Sequence, residues 1–578
     1  MQNIHNFLLL FTVFNGCHGA KIVYEMNMAE VEDEEVFHMG QKQSVIGQSQ
    51  IDQESARRSG VTGKFSFASY YGDNMVLQGI PNKAKIWGYA PEDSNDKTVR
   101  VQLSPGNETF NTIVTPDLTW TVQIGPVSPG GPYKIIAYLG TVKLTLNNVM
   151  FGDVWICSGQ SNMAFPLTNV FNSTEEVKDT VNYPDIRLFV VKENTSTTPL
   201  SDFTQNGILL PWSISKPDTI NGSKFSAVCW LYGKHLYQKL KRPIGLVETS
   251  VGGTPVEAWS SKDALHKCGL ESVNYIKPTP DPDPIDGIEG PSEYSVLWNA
   301  MVHPFINMTV YGAIWYQGEN NAQHFRDKYN CTFPAMIDNW RLKFSTSGTT
   351  NSLFPFGFVQ LAGYRPDHTI STGFTDIRWH QTADYGYVPN HRLRNVFMAV
   401  AMDLPDFTSP YSPVHPRDKQ DVAARLALGG LAIGYNMNVS YQGPYPVHVE
   451  ITHAVQPYKY TQVLIEYTSD LEQRWLDGFE ICCAFEDPPV CVPGKSWWLP
   501  TTTMQGYDQG NATLSYASEC SVDNVVGIRY AWRESPCPFK NCAIYGANNE
   551  LPMPPFTYYG EAFKKIRIKE NMYTVSLL

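Results

Sequence analysis

The chain has 578 residues with a formal net charge of −12, and 42% of its residues are hydrophobic while 17% are charged. A chain of this length is too long for one ordinary hydrophobic core, so it predicts two or three domains. The negative charge argues against a nucleic-acid partner, because such proteins present a positive surface to phosphates.

Residues 1–20 have the features of a signal peptide: an apolar run is followed by small residues that suit cleavage. The run is too short to span a bilayer, and no later stretch has about eighteen unbroken apolar residues, so we expect no transmembrane helix. Residues 21–63 are polar and partly acidic. They predict an extension without a core of its own, a composition typical of disorder.

Sequons and cysteines both indicate the secretory pathway, with a secreted or lysosomal destination. Removing Cys17 with the signal peptide leaves ten of the eleven cysteines, and their spacing matches no zinc pattern. This even number predicts disulfide bonds, and Cys157 is expected to be a core residue or disulfide partner rather than a nucleophile. Eight Asn-X-Ser/Thr sequons predict N-glycosylation; they lie at Asn107, Asn172, Asn194, Asn221, Asn307, Asn330, Asn438 and Asn511.

Three regions follow the extension in chain order. Short β-type runs separated by turns predict a small β-sandwich over residues 64–150. Residues 151–437 alternate apolar strands with helical stretches, which predicts a parallel sheet covered by helices on both faces. Residues 438–578 return to β-type runs and predict a β-rich, disulfide-bonded region. The fold class is therefore α/β. The predicted central strands are 153–159, 185–191, 242–250, 310–318, 354–363 and 395–404; the predicted helices include 226–240, 333–344 and 418–435.

Unusual polar residues follow four of these strands, where α/β proteins place their sites. In GQSNM, Ser161 sits between a strand and a helix, a position where most serines only cap the helix. Gly252 and Gly253 free the backbone to approach a ligand, although a plain tight turn explains them equally well. Gln317 and Glu319 emerge from an apolar strand, so burying them requires hydrogen bonds. A structural network satisfies that requirement as well as a site does.

The fourth strand end carries Asp403 and, before the next helix, His415. Imidazole titrates near neutral pH, so His415 is suited to take a proton from a serine and return it to a leaving group. A surface histidine at a helix start is the simpler alternative. His324, His380 and His391 are rivals for the same role.

The four motifs GQSNM, GGTPVEAW, WYQGEN and HPRDKQ, in this order, resemble the SGNH (GDSL-type) esterases and specifically the sialate O-acetylesterase family. FSFASYYGDNMVLQ and IWGYAP resemble that family too, and the likeness runs from about Phe65 to near the C terminus. The resemblance implies an SGNH-type α/β/α hydrolase domain with attached β-domains. It also implies removal of O-acetyl esters from sialic acids, without a cofactor or metal, and with sialoglycans as substrate.

The resemblance assigns roles to individual residues. Ser161 attacks the acetyl carbonyl, and His415 acts as base and then acid. The Ser161 N–H, a backbone N–H at Gly252 or Gly253, and the Gln317 side chain stabilise the oxyanion. Structural positions near the site are implied for Gln160, Asn162 and Glu319, with Glu319 anchoring Gln317 or the turn around Gln160.

The orienting acid is a point of departure from the family pattern. SGNH enzymes commonly place an aspartate three residues before the histidine, a position that Ser412 occupies here. Asp403 is our expected acid because its strand ends at the same edge as Ser161, and Asp406 is the alternative. A Ser–His dyad assisted by a backbone carbonyl is the third reading.

Two other functions compete with deacetylation of sialic acids. A xylan or other polysaccharide acetylesterase uses the same serine chemistry on another substrate. An inactive carbohydrate-binding glycoprotein keeps the fold without the reaction, and the missing aspartate is the only feature that favours it.

Overall fold

The computed structural model describes residues 63–559 except 205, 271–289, 454–460, 486–489, 492–495, 506–511 and 518–519, together with the backbone of 567–569 and 572–576. The predicted signal peptide, nearly all of the predicted extension and the sequon at Asn511 lie outside these residues. Among the helices in these ranges, none has the length and apolar character needed to cross a bilayer.

The N-terminal region consists of strands arranged in two sheets. One sheet has the order β1-β3-β6, and in the other β5, β4 and β7 lead to the first half of β8. Inward residues alternate with outward ones, as Val99 and Val101 do in β4, which is why these short runs form half-buried strands. The strands are β1 (Ser66–Phe67), β2 (Val76–Gln78), β3 (Ala84–Tyr89), β4 (Thr98–Ser104), β5 (Thr109–Ile113), β6 (Thr119–Ile124), β7 (Gly130–Leu139) and β8 (Val142–Gly159).

Strand β8 connects this region to the central sheet. Its first half pairs antiparallel with β7, and its second half lies between β11 and β12 in the central sheet. Every residue from Val149 to Gly159 is buried. The domain boundary predicted at residue 150 therefore falls inside one continuous strand.

The central sheet has the order β10-β9-β11-β8-β12-β13-β14. Neighbouring strands are parallel except for β10, which is antiparallel to β9. All six predicted strands belong to this sheet, whereas β10 was not predicted. The central strands besides β8 are β9 (Ile186–Val191), β10 (Ile208–Ile214), β11 (Ile244–Ser250), β12 (Gly312–Tyr316), β13 (Phe356–Gln360) and β14 (Val396–Val400).

Helices connect the central strands, and the three that the sequence predicts are present. The π-helical turn Gly430–Gly434 extends the last helix, as its pattern predicted. The α-helices in the described ranges are α1 (Ser161–Ala164), α2 (Ser173–Asp179), α3 (Pro217–Ser223), α4 (Ala227–Leu240), α5 (Lys262–His266), α6 (Tyr329–Ser345), α7 (Phe374–His380) and α8 (Lys419–Gly429).

The C-terminal region is β-rich. Nine strands form an antiparallel sheet of order β23-β21-β18-β19-β20-β16-β15-β25-β24, and β17 pairs with β22. These strands are β15 (Pro446–His453), β16 (Thr461–Tyr467), β17 (Leu471–Gln473), β18 (Phe479–Ala484), β19 (Ser496–Gln505), β20 (Ala512–Ala517), β21 (Val525–Tyr530), β22 (Ile544–Gly546), β23 (Phe556–Tyr559), β24 (Arg567–Lys569) and β25 (Met572–Ser576).

The predicted disulfide bonds are confirmed, because all ten cysteines after Cys17 are paired. Cys157 of β8 bonds to Cys229 of α4, so its sulfur is not available as a thiol nucleophile. The other pairs are Cys268–Cys331, Cys482–Cys491, Cys483–Cys520 and Cys537–Cys542. None of the seven described sequon asparagines is buried, although the Asn330 amide donates to Asp384 over 2.7 Å.

Candidate active site

Ser161 is placed by the turn that ends β8. Gly159 adopts φ = +142°, and a Cβ there would lie 2.1 Å from the carbonyl oxygen of Tyr316 on β12. Only glycine tolerates both the conformation and the close approach. The turn therefore presents Ser161 as the first residue of α1, at the carboxyl edge of the parallel sheet.

His415 is the partner of this serine. Its Nε2 lies 2.8 Å from the Ser161 Oγ, and its Nδ1 lies 2.7 Å from the carbonyl oxygen of Tyr411. A carbonyl only accepts hydrogen bonds, so Nδ1 carries the proton and Nε2 keeps its lone pair. The Ser161 hydroxyl consequently donates to Nε2. The ring of Phe165 stacks on the imidazole at 6.3 Å between centroids.

The three rival histidines are engaged elsewhere. Their Nδ1 or Nε2 atoms lie 2.6–3.1 Å from oxygen atoms of neighbouring residues: His324 contacts Asn320, His380 contacts Asp384, and His391 contacts Tyr385. His415 is the histidine that the fold brings to Ser161.

The structure contradicts both carboxylates that were predicted to orient His415. Asp403 is fully buried and accepts from Arg425 of α8 over 2.6 and 2.9 Å. Asp406 binds the Arg417 guanidinium over 2.7 and 3.0 Å. Each aspartate neutralises an arginine instead of reaching the imidazole. The third reading, a dyad supported by a backbone carbonyl, matches the contacts of His415.

The glycine turn after β11 lies beside Ser161, as predicted. The Val251 N–H donates to the Gly159 carbonyl over 3.1 Å, which joins the ends of β11 and β8. Gly252 and Gly253 are half-buried, and Gly253 adopts φ = +68°. Among the described residues, no acceptor binds the N–H groups of Ser161, Gly252 or Gly253. These donors remain available to a ligand oxygen.

Gln317 does not have the predicted arrangement of an oxyanion donor. Its side chain is fully buried, and its Nε2 donates to the Thr254 carbonyl over 3.1 Å and to Asn321 Oδ1 over 2.7 Å. Its Oε1 accepts from the Tyr329 hydroxyl over 2.9 Å. Because both amide hydrogens are engaged, Gln317 stabilises the turn from within the core.

Asn320 is the amide that sequence reasoning missed. Its Nδ2 donates to the Gly253 carbonyl over 2.9 Å, and its half-buried side chain retains a second amide hydrogen. Its backbone N–H and that of Gly318 lie 3.3 and 3.4 Å from Gln160 Oε1. Gln160 therefore holds the turn after β12 against the turn that carries Ser161. The signal in the sequence was a second amide, two residues beyond the glycine of WYQGEN.

Asn162 and Glu319 form a buried network immediately behind the serine. Asn162 Nδ2 donates to Glu319 Oε1 over 2.6 Å and to the Val414 carbonyl over 2.8 Å. Its Oδ1 accepts from Lys419 Nζ over 2.6 Å. Of the two anchoring roles expected for Glu319, this contact fits the turn around Gln160 and not Gln317. The Val414 contact also fixes the residue that precedes His415.

Lys419 contributes a fully buried amino group to this network. Its Nζ lies 5.0 Å from the ring centroids of Phe165 and Tyr316. Burial lowers the pKa of Lys419 to about 7, although Glu319 partly opposes that change. Burial also lowers the pKa of His415; the hydrogen bond to the Tyr411 carbonyl partly opposes this change, and the nearby Lys419 charge adds to it. The site favours a neutral imidazole, which is the form that a general base requires.

Comparisons with known proteins agree with this geometry. Residues 151–409 match the family described as carbohydrate esterase, sialic acid-specific acetylesterase, and residues 452–560 match the sialate O-acetylesterase C-terminal domain. The sialate O-acetylesterases of Rattus norvegicus and Homo sapiens are each 42% identical to the chain over 85% of its length, covering 94% and 92% of those proteins.

The fold is also similar to that of a solved enzyme. A carbohydrate acetylesterase from Xanthomonas citri superposes with a TM-score of 0.68 at 25% identity, covering 85% of this chain and 99% of that one. The resemblance drawn from the motifs is confirmed by the matches to curated relatives. The chain is a carboxylic ester hydrolase and belongs to the sialate O-acetylesterase family.

Proposed function

We propose that this protein hydrolyses O-acetyl esters of sialic acids, including 9-O-acetyl esters, through an acetyl-enzyme on Ser161. The 2.8 Å contact between Ser161 Oγ and His415 Nε2 carries the proposal. The substrate class comes from relatives that are 42% identical and are named sialate O-acetylesterase. Parallel strands ending at one catalytic edge support an SGNH-type α/β/α domain.

The reaction proceeds in two halves. Ser161 Oγ bonds to the acetyl carbon while its proton moves to His415 Nε2. The bond between the acetyl carbon and the sugar oxygen then breaks. The sugar oxygen takes the proton from Nε2, and the sugar leaves with a free hydroxyl group. Water attacks the acetyl-enzyme while His415 accepts one of its protons. His415 then returns that proton to the Ser161 Oγ, and acetic acid leaves and ionises to acetate in solution.

His415 works here without a carboxylate partner. The Tyr411 carbonyl fixes the tautomer and the ring orientation, and its dipole stabilises the transient imidazolium. Neither Asp403 nor Asp406 takes part, because each is bound to an arginine. The missing aspartate was the only feature that favoured an inactive glycoprotein. The Tyr411 carbonyl takes its place by accepting from His415 Nδ1 over 2.7 Å, so that feature no longer argues against catalysis.

The oxyanion is stabilised by the N–H of Ser161, the N–H groups at Gly252 and Gly253, and the second amide hydrogen of Asn320. The Asn320→Ala variant is expected to lower kcat by about 10²–10³ with little change in KM, because this donor acts on charge that develops in the transition state. Steady-state kinetics on an acetylated sialic acid measure the effect. A KM change alone, with kcat retained, would assign Asn320 to ground-state binding instead.

The pH dependence of kcat/KM follows from the direction in which the His415 pKa is shifted. The base is active when neutral, so a lowered pKa places the acid limb of kcat/KM below pH 6.5, the ordinary value for histidine. With Lys419→Met the neighbouring positive charge is lost, the His415 pKa rises, and the limb moves to higher pH. Profiles of both proteins test this, with thermal melting to confirm folding. An unmoved limb in a folded Lys419→Met protein would refute the coupling.

The function itself is tested by acetate release from 9-O-acetylated N-acetylneuraminic acid. We expect the Ser161→Ala variant to lose release, and Ser173→Ala to retain it as the matched control, because Ser173 is likewise the first residue of a short helix. Equal release by the wild type and Ser161→Ala would overturn the proposal. Acetylated xylan in the same assay distinguishes a polysaccharide acetylesterase.

We also propose passage through the secretory pathway to a secreted or lysosomal destination. The five disulfide bonds support it, because such bonds persist in oxidising compartments.

A further inference from the structure

A second cavity lies in the C-terminal region and shares no residue with the site around Ser161. Its volume is about 370 Å³, close to the lower bound for small-molecule sites. Prolines and other apolar residues form part of its lining. The residues that give it chemical character are His368, Trp475, Asp477, Glu480, Trp532 and Arg533.

Trp475 supplies a partly exposed aromatic wall, and its Nε1 donates to Asp477 Oδ2 over 3.3 Å. Its side chain is 46% exposed, which is unusual for so large an apolar group. A second indole, that of Trp532, is half-buried in the same cavity. Flat aromatic faces bind the C–H faces of sugar rings because they bury apolar area while leaving hydroxyl groups at the rim free to hydrogen-bond.

The Arg533 guanidinium in the cavity wall is only partly engaged by the protein. Glu480 accepts from Arg529 over 2.8 and 3.1 Å, and Arg533 Nη2 binds the same carboxylate. Two guanidinium groups thus share one carboxylate. Arg533 Nη1 also donates to the Trp532 carbonyl over 3.0 Å, and the Arg533 side chain is 30% exposed. Asp477, also exposed, is an acceptor suited to hydroxyl groups. A ligand with a carboxylate and several hydroxyls complements this set.

The cavity is held firmly against the catalytic domain. Arg365 binds Glu534 over 2.9 and 2.8 Å, and Arg378 of α7 donates to the carbonyls of Arg533 and Glu534 over 2.8 and 2.6 Å. Arg365 follows β13, whose carboxyl end lies at the same sheet edge as Ser161. The chain segment that contributes Arg533 to the cavity is therefore fixed to the loop after β13 and to α7.

We propose that the cavity lined by Trp475 and Arg533 is an accessory binding site for an acidic sugar unit of a glycan. The pyranose ring stacks on Trp475, its carboxylate binds Arg533, and its hydroxyl groups donate to Asp477. The choice of sialic acid as the sugar rests on the proposed function. The site lets a branched sialoglycan bind through one residue while another is deacetylated at Ser161.

Binding of the methyl α-glycoside of N-acetylneuraminic acid tests the proposal. Titration into the full-length Ser161→Ala protein, followed by calorimetry, is expected to show a site that is lost with Trp475→Ala and weakened at least about tenfold with Arg533→Lys. Arg533→Lys keeps the charge near Glu480 but removes bidentate carboxylate binding. Trp497→Ala is the matched control, because Trp497 is 61% exposed and lies outside the cavity.

Kinetics provide an independent readout. Trp475→Ala is expected to lower kcat/KM for a multivalent acetylated sialoglycoprotein and to leave turnover of 4-nitrophenyl acetate unchanged. Equal sugar binding by the Trp475→Ala and Trp497→Ala proteins would overturn the accessory site, and so would equal binding of a neutral methyl galactoside. These outcomes differ from a failure of the proposed function, which appears as acetate release that does not depend on Ser161.

Discussion

Replacing His415 by alanine is expected to lower kcat by about 10⁴, the upper end of the range for general acid–base catalysis. His415 is the group within 2.8 Å of the Ser161 hydroxyl, and it moves a proton in both halves of the reaction. Substrate binding should change little, because the imidazole contacts the reacting atoms rather than the sugar. Steady-state kinetics with 9-O-acetylated N-acetylneuraminic acid measure kcat and KM separately.

Two further measurements show whether the loss is chemical. Added imidazole should partly restore activity to the His415→Ala protein, because the missing base can be supplied from solution. His391→Ala is the matched control, since the His391 ring binds Tyr385 and is expected to be dispensable for turnover. Near wild-type kcat in the His415→Ala protein would exclude the Ser–His mechanism.

The sequence predicted the elements that carry the site better than the directions of their side chains. Continuous apolar runs identified the central strands because strands buried on both faces contain few polar residues. The edge at which Ser161 and the glycine turn meet follows from parallel pairing, which places carboxyl ends together. These inferences needed only the type of each strand and its order in the chain. Neither property depends on which residues the strand packs against.

Gln317 shows where that reasoning stops. It directly follows β12, and its side chain turns into the core toward Tyr329, while Asn320 in the next turn reaches Gly253. Both residues are amides beyond the same strand end. The path of the chain after the strand decides which of them faces the site, and no periodicity in the sequence encodes that path.

Asp403 failed as the predicted acid for a similar reason. Its strand does end at the catalytic edge, but its partners come from two other elements that pack there. Arg425 lies on the following helix, and Tyr545 of the C-terminal region donates to Asp403 Oδ2 over 3.0 Å. A buried carboxylate is stabilised by whichever cation tertiary packing delivers. The sequence predicted that Asp403 lies at this edge, but it did not show that its carboxylate is already paired with an arginine.

Arg425→Met is expected to lower the free energy of unfolding by about 3–5 kcal/mol, because it leaves the Asp403 carboxylate buried without its ion-pair partner. Asp403 is fully buried and the Arg425 side chain is only 8% exposed. Removing both charges together, with Asp403→Asn and Arg425→Met, should recover part of the loss, since no unpaired charge then remains. Chemical denaturation of the single and double variants measures the difference.

The corresponding pair of Asp406 and Arg417 provides the control. The Arg417 side chain is 25% exposed, so solvent screens its charge. Asp406 is only 7% exposed but keeps its hydrogen bonds from the Arg417 backbone N–H and the Thr408 hydroxyl, so Arg417→Met should cost about 1–3 kcal/mol, less than Arg425→Met. The turnover of the double variant with Asp403→Asn and Arg425→Met also tests whether Asp403 takes part in catalysis. If Asp403 oriented His415, the folded double variant would lose most of its kcat, whereas an aspartate that only neutralises Arg425 predicts turnover close to that of the wild type. A folded double variant without turnover would therefore restore Asp403 as the acid and contradict the carbonyl-supported dyad.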